Sequence, residues 1–313
     1  MKIKDGFMQR GKKTNKRIEI ISNNGDPTPI PKSWRPVQGS SDVLVVIPDV
    51  HMYIRHSPQD NFWFGAEALS NLLDHVDAVK KDLALKGKTL RVYQLGDFFE
   101  MRFGSLATPG SNSTPAEIRM SDPQYDLIVN QMDYLRTHLL YGNHDFELRH
   151  YPSFRFGALE GKVYMEHGFS PSPWTESPGR PLWEPAQLMF KLEREIESTF
   201  LNLAVSVNAI KRDEHFALGV KGGETEVDQY PDESTYSETQ KNYYVTRLLN
   251  RVDGPDVKIC IIGHTHQPYM KLNQTADGGG WLFADAGAWT EGRSDFVVLT
   301  DEETAICHYK RAN

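Results

Sequence analysis

Cysteine is scarce in this chain: Cys260 and Cys307 are its only two, and each sits inside an apolar run, VKICII and TAICHY. Two thiols cannot build a disulfide framework, so they read as small buried hydrophobes. No apolar run approaches the roughly 18 residues needed to cross a bilayer. The basic opening MKIKDGFMQRGKKTNKR is not followed by the apolar stretch of a secretory leader. The expectation is a cytoplasmic protein with no transmembrane segment. Positive charge is not in excess either, since a formal net charge of -7 opposes the broad basic footprint of a nucleic-acid binder. The opening segment carries seven Lys/Arg against one Asp. Its composition reads as a solvated, frayed terminus, with a local anionic contact as the alternative.

Hydrophobic residues at 39% and charged residues at 25% place the chain among ordinary globular proteins. Residues 1–41 are rich in Pro, Gly, Ser and Asn and form an irregular N-terminal lead-in. Residues 42–313 form the folded unit. It opens with DVLVVIPDVH, a short β-branched run that reads as a strand buried on both faces. Ala66, Leu69, Leu72, Leu73, Val76, Val79 and Leu83 then follow a helical period stopped by Gly87. The unit recurs as strand TLRVYQLGDFFE, a loop over about 103–123, a helix over 124–137 and strand HLLYGNHDF. Strands alternating with helices imply an α/β fold with parallel pairs. After KVYMEHG, residues 169–256 change character and read as an insertion or lid, with helices near 185–205 and from 237. VKICIIGHTHQP, GWLFADAGAW, SDFVVLT and ETAICHYK then read as strands.

The buried strands end in residues that ligate metals: Asp49 and His51, Asp97, Asn143 to Asp145, His167, and His264 and His266. Strand carboxyl ends line the crevice of an open α/β sheet, so these groups can converge. Within DVH and HTH, residues two apart project to one side of an extended chain. Glycines before Asp97, Asn143 and His264 permit tight turns and close backbone approach. A mixed imidazole, carboxylate and amide shell suits first-row divalent ions. Seven residues supply eight metal bonds if one carboxylate bridges. Two ions about 3.5–4 Å apart are the arrangement of phosphoryl-transfer hydrolases.

In order, PDVH, GDFFE, GNHDF, EHG and GHTH resemble the five-block signature of the calcineurin-like metallophosphoesterase superfamily. The resemblance covers about residues 43–308 and implies a four-layer αββα sandwich with two mixed β-sheets and a dinuclear metal site at the strand ends. It implies two divalent ions, Mn2+ first, with Fe, Zn, Co or Ni accepted by the same shell. Asp49, His51 and His266 would hold the first and Asn143, His167 and His264 the second, with Asp97 bridging. His144 would protonate the leaving oxygen or stabilise the transition state, with Asp145 orienting its imidazole, and a metal-bridging hydroxide would attack. The implied reaction is hydrolysis of a phosphate ester or pyrophosphate bond in a small phosphorylated molecule. LGDFFE, GNHDFELR and GHTHQP with DAGAWTEG are nearest the UDP-2,3-diacylglucosamine hydrolase-like branch. The chain departs from that branch at His144, where the branch has arginine, and at Phe169, where it has aspartate. A nuclease and a binding scaffold on the same fold are the other readings.

Arg55, Arg102 and Arg149 follow metal-type motifs closely and carry guanidinium forks suited to phosphate. His56 and His150 follow motifs in the same way. His75, His138, His215 and His308 lack neighbouring ligand types and read as packing or solvated residues.

Overall fold

The computed structural model describes residues 1–10, 13–14, 17–34, 41–55, 57, 60–101, 113–168, 257–274, 279–290 and 292–310. Its strands are β1 (Gln9–Arg10), β2 (Lys13–Thr14), β3 (Ile18–Ile20), β4 (Thr28–Pro29), β5 (Val43–Ile47), β6 (Leu90–Gln94), β7 (His138–Leu140) and β8 (Phe154–Arg155). They continue with β9 (Gly157–Glu160), β10 (Val163–Glu166), β11 (Ile259–Ile262), β12 (Tyr269–Gln274), β13 (Gly280–Asp285), β14 (Asp295–Thr300) and β15 (Glu303–Tyr309). The α-helices among the described residues are α1 (Ala66–Ala84), α2 (Pro115–Met120) and α3 (Pro123–Leu135).

Two mixed sheets organise the chain. The larger runs β3-β15-β14-β5-β6-β7-β8, with β4 also on β15, and the smaller runs β12-β13-β11-β10-β9. Strands β5, β6, β7 and β8 pair in parallel, as do β10, β11 and β13. Strict alternation within each strand sends side chains into two different cores. From β5, Val43, Val45 and Ile47 join Leu69, Leu72 and Val76 of α1. Leu44 and Val46 face the other way and meet Val163, Met165, Ile259 and Ile261 of the small sheet. Each such buried side chain contributes about 2 kcal/mol of hydrophobic stabilisation. The continuous apolar run of β5 thus needs both neighbours, a helix layer and a second sheet. This is the α/β arrangement with two mixed sheets expected of the sequence. A second helix layer is not seen among the described residues, and the insertion or lid expected at 169–256 falls outside them.

Local signals explain the helices. Every apolar position of the α1 period is buried. Gly87 closes the helix with φ +68 and donates to Ala84 O at 3.0 Å. Asp122 caps α3 by accepting from Gln124 N at 2.7 Å. The loop expected over 103–123 is a helix in its second half. Thr114 and Glu117 form a reciprocal capping box, and Pro115 occupies the first turn of α2, a start signal carried by the TPAE tetrapeptide itself.

The frayed-terminus expectation does not hold for residues 1–10. Ile3 and Phe7 are fully buried, and Phe7 O lies 2.7 Å from His75 Nε2 on α1. The basic side chains find acids within the chain, Lys2 at Glu303 (3.3 Å) and Lys4 at Asp26 (2.7 Å). Two apolar residues spaced one helical turn apart outweigh the charge of the segment.

Asp60, after β5, is nearly buried and accepts from Tyr125 Oη of α3 at 2.5 Å. Burial pushes its carboxyl up to about 7, against the lowering pull of Tyr125 and the Arg55 guanidinium. A carboxyl raised in the folded state holds its proton more tightly than in the unfolded chain, so its contribution falls as pH rises from about 4 to about 7 and is constant above. Asp60→Asn mimics the protonated form. Its melting temperature relative to wild type, followed by differential scanning fluorimetry from pH 5 to 8.5, is expected to climb by several degrees up to pH 7 and then level off. A difference independent of pH contradicts this.

Candidate metal centre

The parallel strands of both sheets deliver their carboxyl ends to one place, where the loops after β5 and β6 are laced together. Val50 N and His51 N both donate to Asp97 O, at 3.0 and 2.8 Å, and Met52 N donates to Phe98 O at 3.0 Å. On the other side Asp49 O accepts from Trp289 N at 2.7 Å. Asp49 and Asp97 are pressed onto glycine backbone. A methyl group at Gly263 would overlap Asp49 Oδ1, and one at Gly142 would overlap Asp97 Oδ1. Gly96 has φ +103, with Gly142 against it. The glycines before Asn143 and His264 therefore serve close approach and the one before Asp97 serves a turn, as their positions in the sequence imply.

His51, Asp97, His264 and His266 all have positive φ, at 50, 50, 76 and 58. Each left-handed residue costs about 1 kcal/mol or more. Four of the seven expected ligands are thus held in backbone that an unconstrained chain leaves.

All seven expected ligands meet. Asp49 Oδ2 is 3.2 Å from His266 Nε2 and 4.0 Å from His51 Nε2, and the two imidazole nitrogens are 3.1 Å apart. His167 Nε2 lies 3.0 Å from Asn143 Oδ1, 3.1 Å from His264 Nδ1 and 3.1 Å from Asp97 Oδ2. The same Asp97 Oδ2 is 3.7 Å from His51 Nε2, so it stands between the two sets. Asp49, His51 and His266 form one metal-sized group of donor atoms, and Asp97, His167 and His264 form another. Ligand atoms about 2.0–2.2 Å from a tetrahedral ion lie some 3.3–3.6 Å from one another. The donor spacing therefore fits divalent ions at both positions.

Burial lowers His167, but the Asp97 and Asp49 carboxylates raise it well above the usual imidazole range, so a cation bound there would displace its proton. Burial raises Asp49 and Asp97, but His167 above all, with His266 at Asp49 and His144 at Asp97, holds both well below the usual carboxylate range. His264 is driven down to about 3, first by burial and then by the His167 charge, which leaves it neutral as a ligand must be. Asp49, Asp97 and His167 form a floor with at most 1% exposure. The side chains of His144 and His266 form a rim, 13% and 22% exposed.

His144 and Asp145 do not pair as expected. The Asp145 carboxylate accepts from backbone: Gly142 N at 2.7 Å, Phe98 N at 2.8 Å, Asp97 N at 3.2 Å and Phe99 N at 3.4 Å. It braces the two turns that carry Asp97 and Asn143. Burial and the Asp97 charge raise it to about 7. The carboxylate beside His144 Nδ1 belongs to Glu100, whose Oε2 also lies 3.2 Å from His51 Nδ1. Glu100 is buried and was not singled out in the sequence. The available signal was an acid three residues after Asp97 inside the GDFFE block. A single carboxylate thus faces the Nδ1 atoms of two imidazoles and leaves the Nε2 of each turned toward Asp97.

Arg55 and Arg149 make contacts with other side chains. Arg55 Nε is 3.0 Å from Asp122 Oδ2 and its guanidinium covers Trp63 at 4.8 Å. Arg149 stacks over Phe146 at 4.1 Å. His150 is exposed and lies 3.9 Å from Glu147. Arg102, His56, Phe169 and His215 lie outside the described residues. His138 stacks on Tyr93, and His308 Nδ1 lies 3.0 Å from Asp295 Oδ1.

The family described as calcineurin-like phosphoesterase matches residues 43–268, which span every block of the centre. The chain belongs to the calcineurin-like phosphoesterase family. Its His/Asp clusters have the donor types and spacing that could hold divalent metal ions. No curated protein matches it. Among solved structures it is similar to a 5'-nucleotidase from Candida albicans SC5314, at 11% identity and a TM-score of 0.30, over 84% of this chain and 48% of that one. The chain spans about half the length of that protein. No helix among the described residues is long and apolar enough to cross a membrane.

For this centre Glu100 supplies a direct test. Glu100→Ala is expected to lower Mn2+ affinity and hydrolysis by about 10–100-fold, with Glu100→Gln between it and wild type, as measured by isothermal titration and initial rates. Wild-type affinity and rate in Glu100→Ala would show that the carboxylate has no part in holding the imidazoles.

Proposed function

We propose that the chain hydrolyses a phosphate ester or pyrophosphate bond in a small phosphorylated molecule, using two divalent cations, Mn2+ first. The observation that carries this reading is the position of Asp97 Oδ2 between two donor sets, 3.7 Å from His51 Nε2 and 3.1 Å from His167 Nε2. Asp49, His51, His266 and Asp97 would hold one cation, and Asn143, His167, His264 and Asp97 the other. When bound, such a pair neutralises phosphate oxygens and lowers the pKa of water.

The chain's own residues do the rest. The buried floor keeps Asp49 and Asp97 ionised and His264 neutral. At the rim, His144 is the group placed to give a proton to a departing oxygen. Its Nδ1 is engaged by Glu100, so Nε2, 3.9 Å from Asp97 Oδ2, is the nitrogen that faces the reacting atoms. Asp145 keeps the Asp97 and Asn143 turns in register and takes no proton from substrate. The UDP-2,3-diacylglucosamine-type pyrophosphate is the finer alternative within the same reaction. His144 in place of that branch's arginine favours simpler esters.

The test is hydrolysis of mono- and bis-nitrophenyl phosphate with Mn2+, beside Asp97→Ala. Wild type is expected to turn over at least one of them, and Asp97→Ala to lose more than about 100-fold, beyond the cost of an outer partner. Equal, near-zero rates in both proteins under Mn2+, Zn2+, Co2+ and Ni2+ would remove the enzymatic reading and favour a binding scaffold. A UDP-sugar diphosphate and single- and double-stranded DNA in the same panel separate the pyrophosphatase and nuclease alternatives.

A further inference from the structure

The HTH loop, like Asp97, serves both donor sets, and it does so through two residues in left-handed backbone. His264 presents Nδ1 to His167, at 3.1 Å, and His266 presents Nε2 to Asp49 Oδ2, at 3.2 Å. Adjacent positive-φ residues flanking one threonine would relax toward commoner backbone if nothing opposed it, and one imidazole or the other would leave its set.

Thr265 lies between them and is held from the far side. Its Oγ1 donates to Asp285 Oδ2 at 2.7 Å and accepts from Gln267 N at 3.2 Å. Asp285, at the end of β13, is fully buried. Its Oδ1 accepts from Gly287 N at 3.0 Å. The backbone below is tied as well, because Asp285 is in register with Ile262 of β11 and Ala286 N donates to Ile262 O at 2.8 Å. A buried hydroxyl-to-carboxyl hydrogen bond of this length is directional and fixes the rotamer of the threonine. The same DAGAW segment also reaches the centre through Trp289 N, which donates to Asp49 O at 2.7 Å.

We propose that Thr265 and Asp285 form a pin that sets the divergence of His264 and His266, and through it the separation of the two cations. Asp285 is a positioning residue, acting on the centre through Thr265. This inference rests on the dinuclear reading given above.

Metal-free protein is titrated with Mn2+ by calorimetry, and the loaded protein is examined by electron paramagnetic resonance, where the exchange-coupled signal of a Mn2+ pair reports its spacing. Wild type is expected to bind two ions with a coupled signal. Thr265→Val, which keeps the shape and removes the hydroxyl, is expected to bind at least one ion about 10–100-fold more weakly and to change or lose the coupling. Thr265→Ser, which keeps the hydroxyl, is expected to restore both. Apo melting temperatures check folding. If Thr265→Val does not fold, Asp285→Asn replaces it, since an amide can still accept from Gly287, and the same loss of coupling is expected. A valine or asparagine variant that binds two ions with wild-type affinity and coupling overturns the pin alone. A wild type that binds no pair overturns the dinuclear reading and the pin with it.

Discussion

Three carboxyl groups, Asp49, Asp97 and Asp145, are buried side by side with at most 1% exposure, and everything at the strand ends answers to that fact. Buried carboxylates need cationic compensation or must take up protons. The chain divides them. Asp49 and Asp97 face imidazoles and stay ionised, whereas burial and the Asp97 charge raise Asp145 to about 7 against the lowering pull of its backbone amides. Two anionic oxygen donors, a neutral His264 and further imidazoles packed 3.0–4.0 Å apart make a pocket whose charge is completed by cations. Asp145 is left to brace backbone.

The two-sheet architecture brings these groups together. Because β5, β6 and β7 are parallel in one sheet and β10 and β11 in the other, five strands end at one edge of the sandwich. The alternation of β5 into two cores locks its register. A slip of one residue would exchange its two faces and carry Asp49 and His51 out of place. Gly142 and Gly263 then let carboxylates rest on main chain where any side chain would intrude. The left-handed conformations of His51, Asp97, His264 and His266 are tolerated because the surrounding hydrogen bonds over-determine them.

Much of this was legible in the amino acids. β5 and α1 announced themselves by a doubly buried run and an unbroken helical period. The ligand set was legible because metal-binding residue types recur where apolar strands stop. What was missed depends on direction in space. Asp145 follows His144 in sequence, yet the turn points its carboxylate at amides. Glu100 is three residues beyond Asp97, and only the lacing of the β5 and β6 loops brings it to His51 and His144. The capping box of α2 was hidden by a loop-like composition. Ile3 and Phe7 were hidden by the lysines around them. The short strands β3, β4 and β8 carry too few residues for periodicity to distinguish them from loops.

Anomalous diffraction at the manganese edge from crystals grown with Mn2+ tests the central claim most directly. The account predicts two peaks about 3.5–4 Å apart with the Asp97 carboxylate between them, Asp49, His51 and His266 around one, and Asn143, His167 and His264 around the other. A single peak, peaks remote from Asp97, or no peak with Mn2+ in excess would contradict it.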